Sequence, residues 1–427
     1  MAVMTSKNQL SEFLKQVALA LDIPDEIREE VDREYQQLCE FIEEQDADAN
    51  RKEPKLYSQG SFRLGTTIRP MSDKDEYDID LVYERDLQKS STTRDGLKAE
   101  AGEHLAAYLV YLEESNQDVP KLKEGDRCWT LNHEGQFHMD ILPAIPDEDV
   151  RANFAERTET AIAITDNASS KWHTSNPIGF CDWFCEQMRE QFDERRKSLA
   201  RAKLSESSSG MIFNEQMLKA AAEDIPEYKV KTTLQRSIQI LKRHRDFYFQ
   251  DDKDNRPASI VIATLAAHAY GSEDNLVDAL LTIVRGMEDF IEPREEGGKI
   301  VSWVENPTDA EENFADRWQD KEHPDRERCF RAWLRKVEAD VTQALVGGGI
   351  HKMVDLLGIS LGRSVVKTAA ANMGGNFYQS SQAGSLGIVK GAGTLATTAE
   401  AGSTPDTNIT PVRRHTFYGD NEQSQED

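Results

Sequence analysis

Positive charge is scarce in this chain: its 427 residues carry 51 Lys and Arg against 77 Asp and Glu, a formal net charge of −26. Long DNA or RNA is held mainly by a basic face that neutralises phosphates. The acidic balance argues against strong binding of long nucleic acid, favours small ligands, and leaves acids free to hold cations. Long apolar runs are missing as well. No stretch approaches the ~18–20 consecutive apolar residues of a membrane span, and the opening MAVMTSKNQL lacks the apolar run of a signal peptide. A cytoplasmic protein with no membrane contact is expected. Cysteine is sparse too: Cys39, Cys128, Cys181, Cys185 and Cys329 are five, an odd and scattered set. No disulfide framework is expected from them. What remains is a length that allows two to four domains at roughly 100–200 residues each.

The spacing of apolar residues divides the chain. Leu10, Phe13, Leu14, Val17, Ala18 and Leu21 form a helical stripe over 5–21. Ile23-Pro24-Asp25-Glu26 starts a second helix, which runs past Leu38 and Phe41 to about residue 45, before a solvated acidic hinge. From Leu56 the period changes to two: YDIDLVY (77–83) and GQFHMDILPAI (135–145) read as strands, with a helix over 95–114 between them. That order suggests a compact α/β unit. After Asn176-Pro177 the helical period returns, with helices expected over 180–203, 229–249, 259–269, 276–290, 327–345 and 350–371. A flexible loop is expected at 204–228, around SESSSG. Residues 374–411 are rich in Gly, Ser, Ala and Thr and read as a disordered linker, ahead of a basic-aromatic island at 412–419.

One stretch carries chemistry. Asp78 and Asp80 are two apart on a strand, so their carboxylates share one face. Like charges so close raise a pKa unless a cation sits between them. Mg²⁺ prefers oxygen ligands and is commonly held by one or two carboxylates plus substrate phosphates. Gly60-Ser61, at a strand-to-helix turn, allows backbone N–H groups to approach a phosphate, and the Ser61 hydroxyl can donate to it. Asp140, in HMDILP, completes a three-carboxylate cluster if its strand neighbours 77–83. Two metals held by such acids would activate an attacking hydroxyl and stabilise a leaving pyrophosphate. A lone DxD or a lone GS is common on ordinary surfaces; the combination is far more specific.

Other groups carry less. Cys181 and Cys185, four apart on an apolar helix, read as core thiols, because a zinc site would need further ligands. His133 and His138 read as structural or hydrogen-bonding groups rather than metal ligands. Phe247, Tyr248 and Phe249 read as packing, with Tyr248 able to stack a base. Arg195, Arg196, Lys197, Arg201 and Lys203 read as a solvated helix face.

QGSFRLGT (59–66), YDIDLVY and HMDILP resemble the motifs of polymerase β-type nucleotidyltransferases, and specifically the bacterial cGAS/DncV-like enzymes (CD-NTases) of CBASS antiphage systems. LKRHRDFY (241–248), RPASIV (256–261), NPT (306–308) and NFADRW (313–318) extend the resemblance to about residue 370. It implies an α+β fold: a nucleotidyltransferase core of mixed sheet and helices plus an α-helical C-terminal lobe, with the active site in the cleft between. The expected boundaries are 1–50 for N-terminal helices bracing both lobes, 51–175 for the core, 176–372 for the helical lobe and 373–427 for a flexible tail. By resemblance, Asp78, Asp80 and Asp140 are the catalytic metal ligands, for two Mg²⁺ ions with Mn²⁺ as a possible substitute. Gln59, Gly60 and Ser61 would hold the donor triphosphate, and Lys242 and Ser259 would contact phosphate from the helical lobe. The implied product is a cyclic di- or trinucleotide made from NTPs, ATP among them, and read by a separate effector.

Two other functions fit the same residues: linear nucleotidyl transfer to RNA, protein or a small molecule, and an inactive nucleotide-binding scaffold. Retention of all three acids argues against the scaffold. The tail suggests a regulatory partner of the HORMA type. Capture by a ubiquitin-transfer-like machinery would need a small terminal residue, whereas the chain ends Gln-Glu-Asp.

Overall fold

The computed structural model describes residues 6–45, 54–72, 75–152, 157–166, 171–207, 215–347, 350–382, 386–389, 395–397 and 409–411. Its contacts group into two units: Leu21–Ala339, and a second made of Met1–Ala20 with Asp340–Asp427. Helix α1 (Ser6–Ala20) belongs to the second.

The larger unit begins with α2 (Asp25–Gln45), which has Asp25 and Glu26 in its first turn, where the helix dipole favours them. Its sheet contains β1 (Lys55–Ser58), β2 (Tyr77–Glu84), β3 (Lys121–Glu124), β4 (Trp129–His133), β5 (Phe137–Pro146), β6 (Ile162–Ile164) and β7 (His173–Ser175). The order is β1-β2-β5-β4-β3, with β6 on the far end of β5 and β7 beside β6. Only β2 and β5 run parallel; the rest pair antiparallel. A short turn of helix, α3 (Gly60–Arg63), follows β1, and α4 (Arg94–Glu114) links β2 to β3. Thr93 caps α4 by accepting from the Gly96 N–H at 3.0 Å. Tyr77, Ile79, Leu81 and Tyr83 of β2 and Phe137, Met139 and Ile141 of β5 bury against α2 and α4. Strand alternation then sends Asp78, Asp80, His138 and Asp140 to the opposite face. The expected strands at 77–83 and 135–145 and the helix at 95–114 are all present.

A second run of helices follows α5 (Glu148–Arg151): α6 (Pro177–Glu186), α7 (Arg189–Ser207), α8 (Glu215–Glu223), α9 (Thr233–Tyr248), α10 (Ser259–Ala269), α11 (Leu276–Gly286) and α12 (Arg326–Gly347). The single helix expected over 180–203 is two, α6 and α7; Met188, at the break, turns in under Thr232, whose hydroxyl donates to its sulfur at 3.1 Å. The expected loop at 204–228 contains α8, whose Ala221 joins Ala200, Ile225 and Val230 in a small core. The helix expected from 229 starts at 233, fixed by a capping box between Thr232 and Gln235. Residues 287–290 wind more tightly, as a 3₁₀ turn, after α11. Two hairpins went unread: β8 (Glu292–Glu296) with β9 (Lys299–Trp303), and β10 (Glu305–Asn306) with β11 (Asp309–Asn313).

In the second unit, α13 (Ile350–Ser360) and α14 (Arg363–Gln382) replace the one helix expected over 350–371; Gly362, at φ +95°, makes the break. Helix α1 packs on both. Leu10, Phe13, Leu14 and Val17 are buried on the first of these helices, as are Met353, Leu357, Val366 and Ala369 on the other two. The linker expected at 374–411 is corrected by α14 and by three strands, β12 (Leu386–Val389), β13 (Leu395–Thr397) and β14 (Ile409–Pro411), with β12 in the middle. Backbone pairing orders these strands where side-chain hydrophobicity gives little signal. The basic-aromatic island at 412–419 lies outside the described residues.

Candidate active site

Parallel pairing of β2 with β5 sets Asp80 opposite Asp140 and Asp78 opposite His138. The three acids named from the sequence therefore come from adjacent strands, on the face turned away from the core. Ligand atoms of Asp78, His138 and Asp140 all lie within 4.8 Å of one another. His138, set aside in the sequence reading, belongs to this group: its Nε2 is 3.4 Å from Asp78 Oδ1 and its Nδ1 is 3.5 Å from Glu76 Oε2. The signal for it was present, because His138 precedes Asp140 by two on one strand. Hydrogen bonding to Asp78 raises the His138 pKa above its ordinary value. The Thr130 hydroxyl donates to Asp140 Oδ1 at 2.6 Å and fixes that carboxylate from β4.

Asp80 sits deeper, against Gly60. Burial, followed by the charges of Asp78 and Asp140, pushes its pKa from 3.8 to about 7. Gly60 has φ +60°, and a Cβ there would overlap Asp80 Oδ2, so both conformation and space require glycine. The Gln59 N–H donates to Asp80 O at 2.8 Å and ties the turn to β2. Ser61 stands next in the turn, its Oγ 3.1 Å from Thr67 Oγ1. Gln59, Gly60 and Ser61 thus border the acid cluster. A set rich in crowded carboxylate oxygens suits a hard divalent cation.

Beyond Ser61 the chain is held by a row of donors. Lys231 Nζ donates to Gly65 O at 2.7 Å, Gln235 Nε2 to Leu64 O at 2.9 Å, and Gln239 Nε2 to Thr67 O at 3.0 Å. Lys242 Nζ donates to Thr66 O at 3.1 Å, and Arg243 Nη2 donates to Arg69 O. Four of these five side chains line one face of α9, and Lys231 just precedes it. Lys242 is only 6% exposed, and burial lowers its pKa to about 8. Asp78 and Asp80 are close enough to oppose that shift. Its hydrogen bond, however, goes to the loop backbone. Ser259 opens α10 and accepts from Arg245 Nη1 at 2.8 Å, an engagement the sequence did not foreshadow.

A cavity of about 180 Å³ adjoins the turn, lined among others by Gln59, Gly60, Arg63, Asn306, Glu312 and Phe314. Cys181 also lines it and lies 3.9 Å, sulfur to sulfur, from Cys185; both are free thiols. His133 stacks on Phe137, 4.4 Å between centroids, a packing role.

The Second Messenger Oligonucleotide or Dinucleotide Synthetase (SMODS) domain family matches residues 4–187. A c-di-GMP synthase of Roseivirga ehrenbergii is 25% identical over 417 residues, 97% of this chain and 98% of that protein. The cyclic dinucleotide synthase CdnG of Bradyrhizobium diazoefficiens is 22% identical over 421 residues, 96% of this chain and 95% of its own. The solved structure of that CdnG in complex with GTP matches with a TM-score of 0.62 at 21% identity, covering 86% of this chain and 99% of that one. The Escherichia coli MS115-1 CdnC:HORMA-deltaN complex matches with a TM-score of 0.54 at 14% identity, covering 82% and 97%. With the acids gathered on one sheet face beside a Gly-Ser turn, the match over residues 4–187 and the likeness to cyclic dinucleotide synthases along nearly the whole chain read as a nucleotidyltransferase, on the fold that the solved CdnG shares.

Proposed function

We propose that the enzyme joins NTPs into a cyclic di- or trinucleotide that signals to a separate effector in antiphage defence. The observation that carries this reading is the convergence of Asp78 and Asp140 on neighbouring strands, with Asp80 packed on Gly60. It is supported by relatives whose names describe cyclic dinucleotide synthases. In this reading Asp78, Asp80 and Asp140 hold Mg²⁺, as two ions, with Mn²⁺ as substitute. Metal held by these residues would neutralise charge on the transferred phosphate and lower the pKa of the acceptor hydroxyl. Asp140, fixed by Thr130, faces that hydroxyl. Gln59, Gly60 and Ser61 receive the donor triphosphate through backbone N–H groups and the Ser61 hydroxyl. Lys242 holds the loop they belong to and adds positive charge behind it, and Ser259 contacts phosphate once Arg245 releases it. The core spans 51–175 and the helical lobe 176–372. The enzyme works in the cytoplasm, and its tail receives a regulatory partner of the HORMA type.

Incubating the protein with all four NTPs and Mg²⁺, followed by mass spectrometry, tests the reading. A phosphatase-resistant cyclic product is expected, and it should fall by about 10³-fold or more in the Asp78→Ala, Asp80→Ala double variant. A phosphatase-sensitive linear product would instead favour transfer without closure. Undiminished product from the double variant would remove the metal-site assignment.

A further inference from the structure

The cavity beside the Gly-Ser turn holds a carboxylate with an unfilled role. Glu312, on β11, accepts one hydrogen bond, from Asn306 Nδ2 to its Oε2 at 2.6 Å, and its other oxygen has no donor among the described residues. Asn306 is itself buried and anchored, because its Oδ1 accepts from both the N–H and the hydroxyl of Thr308 at 2.9 Å. Glu312 is thereby fixed in place rather than left to turn toward solvent. Its second oxygen is left available to accept from a ligand. Arg63 also lines the cavity, its Nη1 donating to Ser58 O at 3.2 Å. Phe314 adds an aromatic wall.

Size and chemistry narrow the occupant. About 180 Å³ is below the ~300–1,000 Å³ of pockets that engulf a whole drug-sized ligand. It suits one ring system, with the rest of the molecule reaching out along Gln59 and Gly60. A ring that fits must offer adjacent donors to a carboxylate and acceptors to a guanidinium, and stack on an aromatic face. Guanine does all three: N1–H and N2–H₂ are donors, while O6 and N7 are acceptors that pair with Arg. Adenine turns its N1 lone pair toward the carboxylate and has no O6.

We propose that Glu312 is a specificity-determining residue, selecting guanine over adenine in a nucleotide whose triphosphate lies on the Gly-Ser turn, with Arg63 reading the opposite edge. This rests on the nucleotidyltransferase reading above and adds a base to it. Burial raises the Glu312 pKa, with Asn306 opposing the shift, as expected for a carboxylate lacking a second donor.

The test uses the full chain and measures binding of GTP, inosine triphosphate and ATP by calorimetry in Ca²⁺, which slows turnover, together with the bases incorporated in Mg²⁺. GTP should bind about 10–100-fold more tightly than inosine triphosphate, which lacks the 2-amino group, and than ATP. Glu312→Gln, close in shape but with one acceptor turned donor, should lose most of that preference. Equal binding of the three nucleotides by the wild-type protein overturns the proposal without any variant. So does a folded Glu312→Gln protein that keeps the full preference. If GTP preference appears but no cyclic product forms, the base reading stands and the cyclic-synthase reading falls. If cyclic product forms with no preference, the reverse holds.

Discussion

The acid face of the sheet and the loop at 64–69 lie side by side and are built on opposite terms. On the sheet, backbone register forces Asp80 beside Asp140 and leaves Asp80 with a proton affinity far above normal. In the loop, carbonyl after carbonyl is met by a side-chain donor from the α9 region: Leu64, Gly65, Thr66, Thr67 and Arg69. One region crowds like charges together; the other is rich in hydrogen bonds. The hydrogen-bonded region fixes the turn against which the charged one is pressed, so the acids cannot relax by pushing the turn away. Preorganisation of this kind is how a site keeps electrostatic strain available for binding.

Replacing Gly60 by Ala should give the largest break in that relation. The added Cβ meets Asp80 and the left-handed backbone is strained, so product formation should fall by about 10²-fold or more in a variant whose circular dichroism is unchanged. Activity close to wild type would mean that Asp80 and the turn move independently. A smaller effect is expected from the hydrogen-bonded side. Gln239→Leu leaves the buried Thr67 carbonyl without its donor and Asp22 with Arg236 in place of two donors, which should cost about 1–3 kcal/mol in denaturant unfolding. It should also raise the KM for nucleotide more than it lowers kcat, since the loop is loosened rather than removed. A kcat effect alone would show that α9 acts on the acids directly.

The contrast also explains what the sequence revealed. Alternation along 77–83 and 135–145 fixes which side chains share a face, so the meeting of Asp78, Asp80 and Asp140 was legible once the strands were taken as neighbours. Helix α10 matched its expected span, Ser259–Ala269, because an apolar run of that length has few other folds. The loop clamp was not legible. Lys242 reads as a cation free to meet phosphate, and nothing in its spacing says that a carbonyl 176 residues away accepts its hydrogen bond. Arg245 and Ser259 are hidden for the same reason. The hairpin of β8 and β9 was missed although Gly297-Gly298, at φ +57° and +79°, carries a turn signal. Its flanks, EPREE and KIVSW, hide the strand period under charge.

The central claim is that three carboxylates are held together in wait for a cation, and thermal unfolding against pH, with and without Mn²⁺, tests it most directly. Asp80 has a folded pKa of about 7 against 3.8 for the ordinary group, so the folded protein binds the extra proton between those values. Its contribution to stability is therefore present at low pH and lost as pH rises from about 4 to about 7. Comparison of wild type with Asp80→Asn isolates that contribution from the other acids. The account predicts that wild type loses stability relative to the variant across this window, and that saturating Mn²⁺ restores it in wild type but far less in the variant. A wild-type curve parallel to that of Asp80→Asn, with no shift on adding Mn²⁺, would contradict it.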